Sequence, residues 1–509
     1  MMEIKIYNSF DLYTLLDSMD VSIIKGDEDI RISSVEYDSR RVEKESIFVA
    51  IEGFETDGHK FIKDALENKA SCIVLNENRL DEFSFLLDRN DLAVVTAKDT
   101  RKALSQISAR FYGEPSLQAV VIGVTGTNGK TTTTYMLESI LSKAGFHCGV
   151  IGTINYRWKD KKINALHTTP ESKDLHEMMS IMVLDGVDCI IMEVSSHALS
   201  LLRVDDIHFD CALFTNLTRD HLDYHITFND YFMAKVRLFE ILNKSCKQKK
   251  AAFINSDDNY GRQILNWRQR FNYPLFSYGI QNNADYHCIE SSIQTSIRGT
   301  RFATDVPFAK QFEMRLAGKF NVYNALAAIG VAHFLNIPAG RIVTGIGLVA
   351  SVPGRFDIVL SPEGFAVIVD YAHTNDALEK LLLGVRSLNP QRVITVFGCG
   401  GNRDKTKRPI MGKVSEEHSD WIIVTSDNPR KENPEDIIKD ITAGMKSKKY
   451  QIIVNREEAI KQAIAMAESG DVIVIAGKGH EDYQIIGTKK IHFDDKEVAL
   501  KYINERNAK

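Results

Sequence analysis

Short apolar runs rich in β-branched residues alternate, along most of this chain, with longer stretches in which apolar positions recur at a helical period. Ile47-Phe48-Val49-Ala50-Ile51, Ser71-Cys72-Ile73-Val74-Leu75 and Leu92-Ala93-Val94-Val95 read as buried strands near the amino end. Ala119 to Ile122, Asp188 to Met192 and Cys211 to Phe214 have the same character in the middle of the chain. Phe365 to Val369, Arg392 to Phe397, Trp421 to Thr425, Gln451 to Val454 and Val472 to Ala476 follow towards the carboxyl end. Strands buried on both faces and separated by helices predict an α/β protein with mainly parallel sheets.

Gly123 to Thr133, GVTGTNGKTTT, joins one such strand to a helix whose Leu137, Ile140, Leu141 and Ala144 lie at i, i+3, i+4 and i+7. Gly126 and Gly129 can take φ > 0 and let Thr127, Asn128 and their neighbours close round an anion at the helix amino end. Lys130 would reach the outer phosphates, and the Thr131 hydroxyl beside Thr132 would sit on Mg²⁺. The general phosphate-loop template asks for glycine at 124, where this chain has Val124. A chance glycine loop is the competing reading, and the strand before and helix after count against it. With about three domains expected for 509 residues, we expect a small α/β module (1–99), a central P-loop ATPase-type domain with a mainly parallel sheet (100–350), and a Rossmann-like doubly wound domain (351–509).

Open α/β sheets bind ligands outside the carboxyl ends of their strands, and the strands here end in polar sequence. Glu193 closes the Cys189 run and would hold the metal that Thr131 also contacts. Asp220, His221, Asp223 and His225 crowd the segment after Cys211 to Phe214, either as metal ligands or as structural hydrogen bonders. In helix 228–242, Phe228, Tyr231, Phe232, Leu238, Phe239 and Leu242 form an apolar stripe that also carries Lys235. An inward lysine must snorkel, pair with an acid, lose its proton or be chemically altered. Asn321 and Asn324, opening an Ala-rich helix, read either as contacts to a base edge or as helix-start residues. The loops Asp38 to Arg41 and Gly53 to His59 are either a ligand grip or a solvated turn cluster. In the third domain, strands empty into Asp370-Tyr371-Ala372-His373, Gly398 to Lys405, Ser426 to Arg430 and Gly477 to Glu481; so many polar loops on one edge make a site.

Composition adds mostly exclusions. With 44% hydrophobic and 26% charged residues and a net charge of −5, the chain is of ordinary globular type with no signal for nucleic acid. It shows neither a run of about 18 apolar residues nor the start of a signal peptide, so the expectation is a cytoplasmic protein without membrane insertion. The seven cysteines are scattered and fit free thiols.

GVTGTNGKTTT, MEVSSH, TNLTRDHLDYH with a helical lysine soon after, GKFNVYNALAA, VPGRFD, VDYAHTNDAL, GCGGNRDKTKRP, TSDNPR and AGKGHE occur in that order. The series resembles the Mur ligases over nearly the whole chain, DSRRVEKESIFVAIEGFETDGHKFI matching that family's uridine-nucleotide module. The resemblance implies a monomeric ATP-dependent amide-forming ligase that adds meso-diaminopimelate to UDP-N-acetylmuramoyl-L-alanyl-D-glutamate through an acyl phosphate, with ATP and Mg²⁺. Gly126 to Thr132 would then hold ATP phosphates, and Asn321, Arg355 and Asp370 the rest of the nucleotide. Thr131 and Glu193 would hold one Mg²⁺, and His221 a second, with Lys235 bridging to it as a carbamate. Ser39, Glu55 and Thr56 would contact the uridine end, and Thr168, Thr169, Ser195 and Arg203 the muramoyl-peptide. Arg403, Asp427, Asn428, Pro429, Arg430, Gly477 and Glu481 would receive the amino acid, the DNPR form resembling diaminopimelate enzymes because Arg430 can pair with the extra carboxylate. This chain has Leu201 where relatives often have Gln, Glu45 where a turn Gly is usual, and Asn375 where Pro is usual. Still open are a sister ligase such as folylpolyglutamate synthetase, and a P-loop ATPase or kinase regulated by its second domain.

Overall fold

The computed structural model describes residues 9–27, 29–53, 56–218, 220, 224–447 and 449–508. Three main sheets are strung along the chain. The first has the order Val21–Lys25, Ala93–Ala97, Cys72–Asn76, Ser46–Val49, Ser34–Glu36, parallel except at its first strand. Its core includes Val49, Val74 and Val95 but also Ala103, Leu104, Ile107, Phe111 and Tyr112. The helix Thr100–Phe111, capped by Asp99 accepting from Arg101 N and Lys102 N, therefore packs on the first sheet. The first core thus runs past the division expected after residue 99, because that helix's apolar face closes this sheet.

The central sheet has eleven strands. Cys148–Ile151, Cys189–Glu193, Val120–Thr125, Cys211–Phe214, Ala251–Asn255 and Leu275–Gly279 run parallel in that order. Antiparallel ribbons extend it at both edges, Asn155–Trp158 with Lys161–Asn164 on one side and Tyr286–Ser296 with Gly299–Thr304 and Gln311–Met314 on the other. One face is covered by Lys130–Ala144 and Lys319–Phe334, the other by Ser172–Leu184 and Phe228–Lys244.

The third sheet has the order Asp357–Leu360, Ala366–Asp370, Val472–Ala476, Val393–Phe397, Trp421–Val424, Tyr450–Ile452, parallel except at its first strand, with helices on both faces. It is doubly wound, as the apolar runs predict. A hairpin that the periodicity did not announce, Tyr483–Ile486 with Lys489–His492, follows its last central strand. Glu45 has φ 67, the left-handed region where glycine is at ease. Asn375 opens a helix capped by Thr374, so the missing proline leaves the helix start intact.

Arg456 and Asp495, both wholly buried, form a bidentate pair of 2.7 Å bonds, and Arg456 Nη2 also donates to Ala476 O at the end of the central strand. Removing one partner leaves a buried charge unmatched, so Arg456→Met is expected to lower the domain's unfolding free energy by about 3 to 5 kcal/mol, read by urea unfolding. An unchanged midpoint would show the pair to be dispensable. The cysteines are free. Among the described residues no helix is long and apolar enough to cross a membrane.

Candidate active site

The strand Val120–Thr125 lies in the middle of the parallel sheet and opens directly into the loop Gly126 to Gly129 and the helix Lys130–Ala144. Gly126 has φ 143, and a Cβ there would lie 1.9 Å from Thr215 Oγ1; Gly129 has φ 89, and its Cβ would meet Asn324 Oδ1 at 2.4 Å. Both glycines are thus required by backbone angle and by close approach. The loop is held from the next strand: Thr127 N donates to Asn216 O at 2.8 Å, Asn128 N to Asn216 Oδ1 at 3.0 Å, and Thr215 Oγ1 to Asn128 O at 2.6 Å. Thr127, Asn128, Gly129, Lys130, Thr131, Thr132 and Arg355 line a cavity of about 50 Å³. Lys130 Nζ folds back onto Gly126 O and Thr127 O, 2.9 Å from each, and burial lowers its pKa.

Glu193 pairs in register with Val124, so its carboxylate emerges beside the phosphate loop. It is almost wholly buried and accepts from Thr131 Oγ1 at 3.0 Å, Thr153 Oγ1 at 2.9 Å and Thr153 N at 3.0 Å. Hydroxyl and carboxylate oxygens side by side suit a hard cation such as Mg²⁺, which usually takes few protein ligands and completes its shell with water and substrate phosphates. Among the described residues no cluster of three or more His, Cys, Asp or Glu adds to them. His221 lies outside the described residues.

Lys235 does not snorkel. It is 1% exposed, its Nζ donates to Gly126 O at 2.8 Å, and it stands 4.6 Å from the centre of the Tyr231 ring. Burial, and then the charge of Lys130, drive its pKa well below the ordinary lysine value, while Asp220 opposes them. Tyr231 Oη in turn bonds Thr127 Oγ1 at 3.0 Å. The helix stripe therefore aims an amine with weakened proton affinity at the phosphate loop.

Thr169 Oγ1 donates to Glu193 O at 2.8 Å and accepts from Ser195 N at 3.1 Å, and Thr168 Oγ1 meets Thr153 Oγ1 at 3.1 Å. Ser195 caps the short helix Ser196–Ser200. Arg203 donates to Thr169 O and to Glu171 Oε2, both at 3.1 Å, and Arg101 donates to the same Glu171 oxygen. Glu171 and Arg101 escaped the sequence reading, since nothing local ties them to Arg203. In the first domain Ser39 is buried with its carbonyl accepting from Asn68 Nδ2 at 2.9 Å, while Thr56 is exposed. Glu55 lies outside the described residues.

Asn321 is buried with its amide engaged at the helix start: Nδ2 donates to Ala317 O at 2.8 Å and Oδ1 accepts from Asn324 Nδ2 at 3.0 Å. The geometry favours the helix-start reading, with Asn324 pressed on Gly129. Asp370 accepts from Phe356 N at 2.7 Å and Ala372 N at 2.9 Å, fixing the turn that carries Arg355. The Arg355 guanidinium lies 4.9 Å from the centre of the Tyr371 ring, which is 5.0 Å from His480, the neighbour of Glu481. Arg355 thereby joins the phosphate cavity to the carboxy-terminal loops.

There Asp427, Asn428 and Pro429 are buried at a strand end, and Asn428 Nδ2 donates to Glu481 Oε2 at 2.8 Å. Gly477, at φ 118, faces Asp427. Arg430 has φ 51; its N donates to Ile485 O at 3.1 Å and its carbonyl accepts from Gly487 N at 2.7 Å. Its Nη1 donates to Gly401 O at 2.9 Å. The hairpin thus holds Arg430 in a conformation that a non-glycine residue keeps only when its surroundings enforce it. Arg403 is exposed.

The chain is similar to known proteins along most of its length. Family models described as "Mur ligase family, catalytic domain", "Mur ligase middle domain" and "Mur ligase, glutamate ligase domain" match residues 31–112, 124–332 and 354–479. The chain is 43% identical over 492 residues to the UDP-N-acetylmuramoyl-L-alanyl-D-glutamate--2,6-diaminopimelate ligase of Clostridium perfringens, covering 96% of this chain and 98% of that one. It is 44% identical over 501 residues to ligase 1 of that name from Clostridium acetobutylicum, covering 97% and 99%. A solved structure of a ligase of the same name superposes with a TM-score of 0.71 at 29% identity, covering 98% of this chain and 100% of that one. With a phosphate loop, a buried carboxylate beside it and an inward lysine on one framework, and relatives matched from end to end, the chain belongs to the Mur ligase family.

Proposed function

We propose that this protein is the ATP-dependent ligase that joins meso-diaminopimelate to UDP-N-acetylmuramoyl-L-alanyl-D-glutamate in peptidoglycan synthesis. The observation that carries the reading is the amino-acid loop, where the buried Asp427 carboxylate and the Arg430 guanidinium offer opposite charges to an amino-acid end. The relatives named above are called ligases of 2,6-diaminopimelate and UDP-N-acetylmuramoyl-L-alanyl-D-glutamate, which supports the reading.

The first domain takes the uridine end through Ser39 and Thr56, with Glu55. Thr168, Thr169, Ser195 and Arg203 hold the muramoyl-peptide, and Gly126 to Thr132 the ATP phosphates. Asn321 acts on the nucleotide through Asn324 and Gly129, while Arg355, oriented by Asp370, faces the phosphates. Arg403, Asp427, Asn428, Pro429, Arg430, Gly477 and Glu481 receive the amino acid. The acceptor's terminal carboxylate attacks the γ-phosphorus, ADP leaves, and an acyl phosphate remains. The deprotonated amine of the amino acid then attacks the acyl carbon and expels phosphate, so no protein nucleophile is required. Lys130 and the amino end of its helix neutralise phosphate charge and cost no reorganisation when the reaction occurs. Mg²⁺ held by Thr131 and Glu193, and by His221 with carbamylated Lys235, would supply further charge neutralisation at the phosphate oxygens.

Release of ADP that requires the UDP-muramoyl-dipeptide and meso-diaminopimelate together is the expected result of an amino-acid panel. ADP release indifferent to both would leave a plain ATPase. Glu193→Ala is expected to lower kcat by about 10² to 10³-fold while changing acceptor affinity little. Unchanged turnover at saturating Mg²⁺ would remove Glu193 from the chemistry.

A further inference from the structure

The carboxy-terminal domain delivers one more charged group to the amino-acid loop. Lys478 sits between Gly477 (φ 118) and Gly479 (φ 56), and its side chain is wholly buried. A Cβ at Gly477 would come 3.0 Å from Asp427 Oδ2, and one at Gly479 would come 2.7 Å from Tyr371 Cβ. The two glycines let the loop press against Asp427 and Tyr371, and Lys478 points into the loop cluster. Its Nζ donates to Glu481 Oε2 at 3.2 Å and to Asn428 Oδ1 at 3.3 Å, and stands 3.9 Å from Asp427 Oδ1. It also lies 5.4 Å from the centre of the Tyr483 ring, within cation–π range.

Charge does not balance in this cluster. The carboxylates of Asp427 and Glu481 lie within 4.0 Å of the same ammonium, and the nearby Arg456 is already paired with Asp495, so among the described residues two carboxylates share one free cation and one negative charge is left over. Asp427 is 6% exposed, and among the described residues its Oδ1 accepts no hydrogen bond. A buried carboxylate oxygen without a donor is costly, and a ligand ammonium would supply the missing partner.

We propose that Lys478 is a positioning residue that sets the charge of the amino-acid site: it orients Glu481 and Asn428 and leaves one uncompensated carboxylate, at Asp427, for the ammonium of the incoming amino acid. This rests on the ligase reading above. A pocket of only one excess negative charge captures an amino-acid end whose ammonium is accompanied by a carboxylate, that carboxylate turning to Arg430. Without the Lys478 charge the pocket would hold two unbalanced carboxylates and would favour a bare ammonium such as the side chain of L-lysine.

The test is initial-rate kinetics of Lys478→Met and Lys478→Arg in the full-length enzyme with meso-diaminopimelate, L-lysine, ATP and the UDP-muramoyl-dipeptide each varied in turn. For Lys478→Met the KM for meso-diaminopimelate is expected to rise about tenfold or more, and the preference for it over L-lysine to fall by a similar factor. The KM values for ATP and acceptor should stay put, which a merely structural role would not produce. Lys478→Arg keeps the charge with displaced donors, so it should fall between the two and decides the matter if Lys478→Met does not fold. An unchanged amino-acid KM and preference in the folded variants, or a common rise of all KM values, overturns the inference. If the unmodified enzyme ligates none of the amino acids, the ligase reading falls and this inference with it; if it uses meso-diaminopimelate and Lys478→Met matches it, only the inference falls.

Discussion

Lys235→Ala is expected to abolish ligation, with kcat down by about 10² to 10³-fold or more, and to regain part of it in formate or another short carboxylic acid. The expectation starts from burial. A wholly buried Lys235 amine that donates to a backbone carbonyl, Gly126 O at 2.8 Å, and whose neighbour Lys130 carries the same charge, is held well below the ordinary lysine proton affinity. A neutral amine is the form that can add carbon dioxide, and the resulting carbamate is an anion where the loop otherwise presents cations. Formate can occupy the space left by the shortened side chain and return the lost carboxylate oxygens. Lys235→Met, which keeps the apolar packing of the helix stripe, should respond to formate in the same way. Wild-type turnover by either variant without added acid would sink the carbamate role; loss of turnover that no acid repairs would leave Lys235 as a support for the Gly126 carbonyl.

The second large effect concerns amino-acid choice. The unmodified enzyme should prefer meso-diaminopimelate strongly over L-lysine, and Arg430→Ala should lose about 10 to 150-fold of that preference, the range of 1.5 to 3 kcal/mol for a hydrogen bond to a charged group. Among the described residues one guanidinium nitrogen of Arg430, Nη1, is committed, to Gly401 O, with a longer approach to Asn428 O. The rest of the planar fork can meet the distal carboxylate, whereas L-lysine would bring an ammonium towards it. Arg430→Lys should also fail, because a point charge on a flexible stem does not reproduce the fork. The left-handed backbone at φ 51 adds to the case, since both its backbone bonds go to the hairpin and the structure enforces it. Equal use of both amino acids at low concentration by the unmodified enzyme would refute the Arg430 argument while leaving the ligase assignment standing.

The elements that could be read from sequence are those whose signal is local. A parallel strand buried on both faces is a continuous apolar run, and the runs at Cys189–Glu193, Val393–Phe397 and Val472–Ala476 are strands here within one residue of their expected limits, while Val120–Thr125 runs three residues past the expected end at Ile122. The phosphate loop is a strand, two glycines and a helix in immediate succession, so it needs no distant partner to be recognised. The Lys235 stripe was legible because a helical period assigns a side chain to a face.

What the sequence alone left undecided depends on strand order and on which loops meet. Thr131, at the start of the helix that follows Val120–Thr125, faces Glu193 because that strand and Cys189–Glu193 are neighbours, although 62 positions separate the residues. Periodicity gave the inward lysine but not its target; packing of Phe228–Lys244 across the sheet brought it to Gly126 rather than to solvent or an acid. The same holds for Asn324 against Gly129, Glu171 between Arg101 and Arg203, and the hairpin that pins Arg430. Lys478 is the sharpest instance: in sequence it is one polar residue between two glycines, and only tertiary contact with Asp427, Asn428 and Glu481 turns it into a charge that shapes the pocket. A period reports which face a residue lies on; the partner it meets there is decided by long-range packing, where the energies of pairing and desolvation arise.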